Sequence, residues 1–219
     1  EQPIDFETLR YTPLEIESSP VRCPSAQASR AMEEEITAAR AVGDTLGGEV
    51  AVAIHGVAPA LGSYRGGGMM ARLSKAAFSV NDVVSVSFGS ACDVMRRRGS
   101  AVYDSAVLGA HGFAHATNML GGIEGGLTTG ASVVMRVGVA PSASLRAPQK
   151  SIDLETLSDA ESSSAAYSPC LVGGVAVAIE AEIAFALASA YQERFGGAAM
   201  SDIHSSYDAY MRRLRLAAR

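Results

Sequence analysis

The sequence predicts an α+β fold, an antiparallel β-sheet packed with α-helices, on three observations. Apolar residues alternate with period two near residues 50–54, 83–89 and 132–140, the mark of strands with one buried face. Other stretches repeat their apolar residues at helical spacing. The two kinds of segment mix irregularly, without the regular βαβ alternation that would give a parallel sheet.

The first 24 residues, punctuated by Pro3, Pro13, Pro20 and Pro24, read as an irregular, extended arm. A helix follows over residues 26–42, with Met32, Ile36 and Ala39 on one stripe and Gly43 as its stop. Gly47 and Gly48 then punctuate the chain before Val50, Val52 and Ile54 alternate as a strand. Residues 69–79, MMARLSKAAFS, predict a helix, and residues 83–89, VVSVSFG, a strand. A third strand over 132–140 ends at Pro141, and residues 158–168 form a Ser-rich loop. The apolar run 171–191 predicts a buried or amphipathic helix, closed by Gly196 and Gly197. A last helix starts with Ser201 as its N-cap and ends in a basic tail carrying Arg212, Arg213, Arg215 and Arg219. The organisation is thus an arm (1–24), one domain (25–197) and a C-terminal basic helix (198–219).

Between the second and third strands lies Thr117–Gly130, TNMLGGIEGGLTTG, with two Gly-Gly pairs four residues apart. Glycine contributes no side chain to bury and costs the most backbone entropy, so four within six positions require left-handed turns or a close approach by something else. That something is a ligand or another chain; the plainer reading is a tight turn between two core elements. The spacing matches neither a Walker A loop nor G-x-G-x-x-G, so it carries no nucleotide-binding inference.

At 219 residues the chain suits one domain with a real core, and its net charge of −5 argues against a nucleic-acid partner. Cys23, Cys92 and Cys170 are odd in number and lack C-x-x-C spacing, which predicts neither a disulfide framework nor a zinc site. An intracellular, reducing setting follows, cytoplasm or organelle. His111 and His115 stand four apart but in a Gly-rich segment without the glutamate of HExxH, so no metal site is expected. The apolar run 171–191 carries Glu180 and Glu182 near its centre, each costing about 2.5–3.5 kcal/mol in a bilayer, so no transmembrane segment is expected. The start at Glu1 is compatible with a removed tag, a cleaved targeting peptide or an upstream piece.

Several separate blocks, in order, resemble the bacterial chorismate synthase family. They are SPVRCP (19–24), GDTLGGEV (43–50), GVAPALGSY (56–64), ARLSKAAFSV (71–80), GSAVYD (99–104), TNMLGGIEGGLTTG (117–130), SPC (168–170) and ERFGG (193–197). The resemblance implies antiparallel sheets flanked by helices, a tetramer, and conversion of enolpyruvylshikimate phosphate to chorismate with reduced FMN. It implies that Thr117, Asn118, Gly121, Gly122, Gly125, Gly126 and Ser144 are the positions able to retain flavin contacts.

The resemblance covers only the carboxy-terminal part of the family, whose two active-site histidines lie in the amino-terminal part, so no catalytic residue is assigned here. Departures fall at polar positions. Met119 stands where the family usually has arginine, Ala140 where it has the lysine of a Lys-Pro pair, and Ala166, Tyr167 and Ser168 where it has an Arg-Ser-Asp or Arg-His-Asp element. GGGMM (66–70) replaces an Asp-rich helix start. Packing residues are kept while cations suited to an anionic ligand are lost. The expectation is a non-catalytic structural or interaction subunit of a larger assembly, without bound cofactor, or with FMN if the ancestral site survives. The alternative is one piece of a split chorismate synthase. A third possibility is an apolar pocket formed jointly by Met119, Ala140 and Tyr167. Protein partners are expected in each case, as a homo-oligomer or larger complex, through the opening arm and the tail arginines.

Overall fold

The computed structural model describes residues 12–109 and 112–217. In chain order the helices are α1 (Pro13–Glu17), α2 (Ala26–Val42), α3 (Met69–Phe78), α4 (Ala91–Val94), α5 (Val172–Phe195) and α6 (Met200–Ala217). The strands are β1 (Gly48–Ile54), β2 (Val83–Phe88), β3 (Ala106–Gly109), β4 (Gly112–His115), β5 (Ile123–Glu124), β6 (Leu127–Thr128), β7 (Val133–Val139), β8 (Gln149–Asp153) and β9 (Ser158–Ser162). This is the expected mixture of helices and antiparallel strands.

The main sheet has the order β1-β7-β2, with both pairings antiparallel. Period two decides its faces. Val133, Met135, Val137 and Val139 of β7 are buried and lie opposite Ile54, Val52, Val50 and Gly48 of β1. Val83, Val86 and Phe88 of β2 continue the same apolar face. Helices α3 and α5 cover it, placing Met69, Leu73, Ala77, Ile179 and Ile183 against the valines. α6 closes the end of this layer through Ile203, Tyr207 and Tyr210, whose rings meet Tyr191 and Phe195 of α5. The opposite sheet face carries mostly small and polar side chains beside the buried Val134, with Arg136 paired to Glu49 at 2.6 Å.

Four sequence expectations are corrected. Within the stretch read as an irregular arm, Pro13 sits at the first turn of α1 and Thr12 caps it through a capping box with Glu15. The Ser-rich loop begins with a strand, because β9 pairs with β8 as a hairpin. Ser201 is not the cap of the last helix: α6 starts at Met200, and the Asp202 carboxylate accepts from the Ala199 N–H ahead of it. α5 is neither buried nor amphipathic. Only Ile179, Ile183, Ala190 and Phe195 are buried, while Val177 and Phe185 on the far side are exposed. Arg219 and the extreme N-terminal residues of the arm lie outside the described residues, as does the side chain of Arg215.

Candidate functional site

The segment Thr117–Gly130 folds as a tight hairpin wedged between the end of β2, the start of β7 and the turn before α3. Its strands are only two residues each, and Gly125-Gly126 join them with φ of 56° and 84°. Both values are left-handed, as a two-residue type I′ turn requires, and glycine meets that demand without strain.

The close approach that the glycines demand comes largely from the chain itself. A Cβ on Gly121 would sit 2.4 Å from the Gly89 nitrogen, and one on Gly122 would sit 2.5 Å from the Ser132 carbonyl oxygen. One on Gly126 would meet the Ser63 carbonyl oxygen at 2.5 Å, whereas Gly125 faces open space. Hydrogen bonds secure these approaches. Met69 N–H donates to the Gly126 carbonyl at 2.9 Å, and Thr129 N–H to that of Gly122 at 3.0 Å. The buried Thr128 hydroxyl donates to the Ala58 carbonyl at 2.7 Å and accepts from Leu61 N–H at 2.9 Å.

The loop's first turn is held by Asp104, the last residue of GSAVYD, whose role no sequence motif marks. Its carboxylate accepts from Met119 N–H at 2.7 Å and Leu120 N–H at 3.0 Å, and from the Thr117 hydroxyl. Partial burial pushes the Asp104 pKa up. The Thr117 hydroxyl, the Leu120 and Met119 amides and nearby His115 outweigh that, so it lies below the ordinary carboxylate value. The clue in the sequence is an aspartate a dozen residues ahead of a turn with free amides, a relation that local periodicity does not register.

Around this clamp, Asn118 Nδ2 donates to the Ser132 carbonyl at 2.9 Å, and the Ser132 hydroxyl bonds His55 Nδ1 at 2.8 Å. His115 of β4 places Nε2 3.8 Å from Glu124 Oε1, an oxygen buried without a hydrogen-bond donor. His111 lies outside the described residues.

The flavin-contact candidates do not all converge. Thr117, Asn118, Gly121, Gly122, Gly125 and Gly126 share the hairpin, but Ser144 lies beyond the far end of β7. Seven strand residues, about 23 Å, separate it from the loop. Met119, Ala140 and Tyr167 do not line one pocket either. Met119 is at the Asp104 clamp, Ala140 N–H bonds the Asp82 carbonyl beyond the other end of β7, and the Tyr167 hydroxyl donates to the Asp44 carbonyl after α2.

A flavin phosphate is a dianion that needs cations or unengaged N–H groups. The only charged side chain between Thr117 and Gly130 is Glu124, and the Met119 and Leu120 amides are already given to Asp104. The loop itself supplies no cation, so a flavin phosphate there would need its cationic partners from outside it.

An antiparallel sheet with strand β7 at its centre, two helices across its apolar face and a glycine hairpin at its edge defines an α+β scaffold rather than a doubly wound one. The chorismate synthase family model matches residues 6–192, and the chain belongs to that family. It is 40% identical over 203 residues to the chorismate synthase of Rubrobacter xylanophilus, matching 92% of this chain and 52% of that protein. The chorismate synthases of Desulforudis audaxviator, at 38%, and Exiguobacterium sibiricum, at 36%, match over similar shares, 52% and 53% of their lengths. A crystal structure of chorismate synthase superposes with a TM-score of 0.77 at 26% identity, covering 93% of this chain and 54% of that one. The chain spans about half the length of the curated relatives it matches.

Proposed function

We propose that this chain is a chorismate-synthase-like domain that serves as a structural or interaction subunit of a larger assembly, without catalysis of its own. The observation that carries this reading is the glycine hairpin. Two of its backbone donors, Met119 and Leu120 N–H, are spent on Asp104, and its one charged side chain is an acid. Met119 and Ala140, which replace expected cations, point the same way. Two further observations support a role in assembly: Phe185 on the outer side of α5 is 73% exposed, and Val177 of the same helix is exposed as well. The free thiols of Cys23, Cys92 and Cys170 suit an intracellular, reducing setting, in the cytoplasm or an organelle.

Flavin fluorescence titration tests the reading. No saturable FMN binding is expected below about 100 µM, and a Kd in the low micromolar range would overturn it.

A second reading rests on length. Relatives carry nearly as much chain again, and α5 presents an apolar face of the kind that another layer covers. On that reading the chain is one piece of a split chorismate synthase, and Thr117, Asn118, the four loop glycines and Ser144 hold FMN once a companion completes the pocket. Mixing this chain with a companion carrying the amino-terminal part, reduced FMN and enolpyruvylshikimate phosphate then yields chorismate. Absence of turnover sinks it.

A further inference from the structure

One carboxylate oxygen of the glycine hairpin, Glu124 Oε1, is buried and has no hydrogen-bond donor. Native structures carry few such atoms, because a buried acceptor without a donor forfeits its hydration for nothing. The Glu124 side chain as a whole is 38% exposed, so the inward turn of this oxygen does not follow from burial of the whole residue. What faces it is His115, whose Nε2 stands 3.8 Å away. That is too long for a hydrogen bond and within reach of an ion pair.

His115 is the last residue of β4 and pairs with Ala106 of β3. The β3–β4 ribbon has no further strand partner among the described residues, and its Val107, Leu108 and Phe113 are exposed. Two strands alone are marginal in water, so what fixes this ribbon lies at its base. There Ala116 N–H donates to the Ser105 carbonyl at 2.9 Å, and Asp104 and Thr117, on the two chains that leave the ribbon, are hydrogen-bonded to each other. His115 belongs to this base and faces two carboxylates, Glu124 of β5 and the nearby Asp104 ahead of β3. His55, the histidine after β1, bonds the Ser132 hydroxyl instead.

A neutral imidazole leaves the Glu124 oxygen unmatched. An imidazolium brings it a positive charge and an Nε2 proton, and sets the same charge beside Asp104. We propose that His115 is a pH-sensitive latch: protonated, it ties the base of the β3–β4 ribbon to Glu124 of the glycine hairpin, and neutral, it lets the two separate. Histidine ordinarily changes charge between about pH 5 and 8, which sets the range over which such a latch works. Closing it takes up a proton, so closure strengthens as pH falls through that range. The latch governs how firmly the hairpin is held rather than what it binds, so its failure leaves the proposed function untouched.

Hydrogen exchange of the whole chain, followed by mass spectrometry at about pH 6 and about pH 8, tests the latch. Protection factors, with the intrinsic pH dependence of exchange divided out, are compared between residues 117–130 and β7. Relative to β7, the hairpin is expected to be about threefold to tenfold better protected at the lower pH. His115→Gln and Glu124→Gln each flatten that ratio to near one. His115→Arg, a cation at both pH values, keeps the hairpin protected at both. Circular dichroism melts at about pH 8, where the latch is open in the parent chain too, show that the variants fold. His115→Arg carries the test if a glutamine variant does not. A parent ratio near one overturns the proposal, and so does a pH dependence that survives in a folded glutamine variant, which His55 would then explain. A folded arginine variant as sensitive to pH as the parent chain overturns it as well.

Discussion

At the residue scale, the glycine hairpin separates two demands that look identical in sequence. Gly121 needs both a left-handed backbone and absence of a Cβ, while Gly125 needs only the first. Gly125→Ala is therefore expected to cost about 1–2 kcal/mol from the left-handed φ alone. Gly121→Ala adds a clash with backbone and costs more than about 3 kcal/mol, both read from urea unfolding midpoints. The Asp104 clamp gives a pH prediction with a definite sign. Its folded pKa is lowered, so its stabilisation is present above the unfolded value near 3.9 and is lost as pH falls through the folded one. Asp104→Asn should cost about 1–2 kcal/mol at pH 7, and parent and variant melts should converge below about pH 4. Gly-Gly pairs announce close approach from sequence alone. Which backbone approaches, and which carboxylate caps the turn, depends on residues 63, 89, 104 and 132 coming together, and no local pattern encodes that.

At the scale of elements, α5 shows how one helix divides its labour. Ile183 is buried against the sheet, whereas Phe185, two positions on, stands in solvent. Truncation to alanine should distinguish them: about 2–5 kcal/mol lost for Ile183→Ala, and within about 0.5 kcal/mol for Phe185→Ala, by guanidinium denaturation of the isolated chain. The run over 172–195 was legible as a helix from its composition and its closing glycines. That its outer face is uncovered was not, because an evenly apolar helix gives no periodic signal of which side faces the core. Helix α2 was legible for the opposite reason, since Met32, Ile36 and Ala39 mark a stripe and Gly43 its stop, and the structure adds Ser25 as its N-cap. The β8–β9 hairpin escaped notice because Ser, Asp and Glu are poor strand formers and its alternation buries nothing.

At the scale of the whole molecule, the sheet order β1-β7-β2 has a consequence for how the protein is made. The two outer strands emerge early in synthesis, and neither pairs with the other. The strand that joins them follows β1 by roughly eighty residues, which at about 5–20 residues per second is a wait of about 4–16 seconds. During that wait the nascent chain holds two apolar strands with unsatisfied edges, the condition under which chaperones engage or chains aggregate. Completion of β7 ends it in one step, because that strand closes the sheet on both sides and seats the glycine hairpin against its own beginning. A ribosome stalled before Val133 would thus hold α2 and α3 but neither the central strand of the sheet nor α5, the long helix that covers it beside α3.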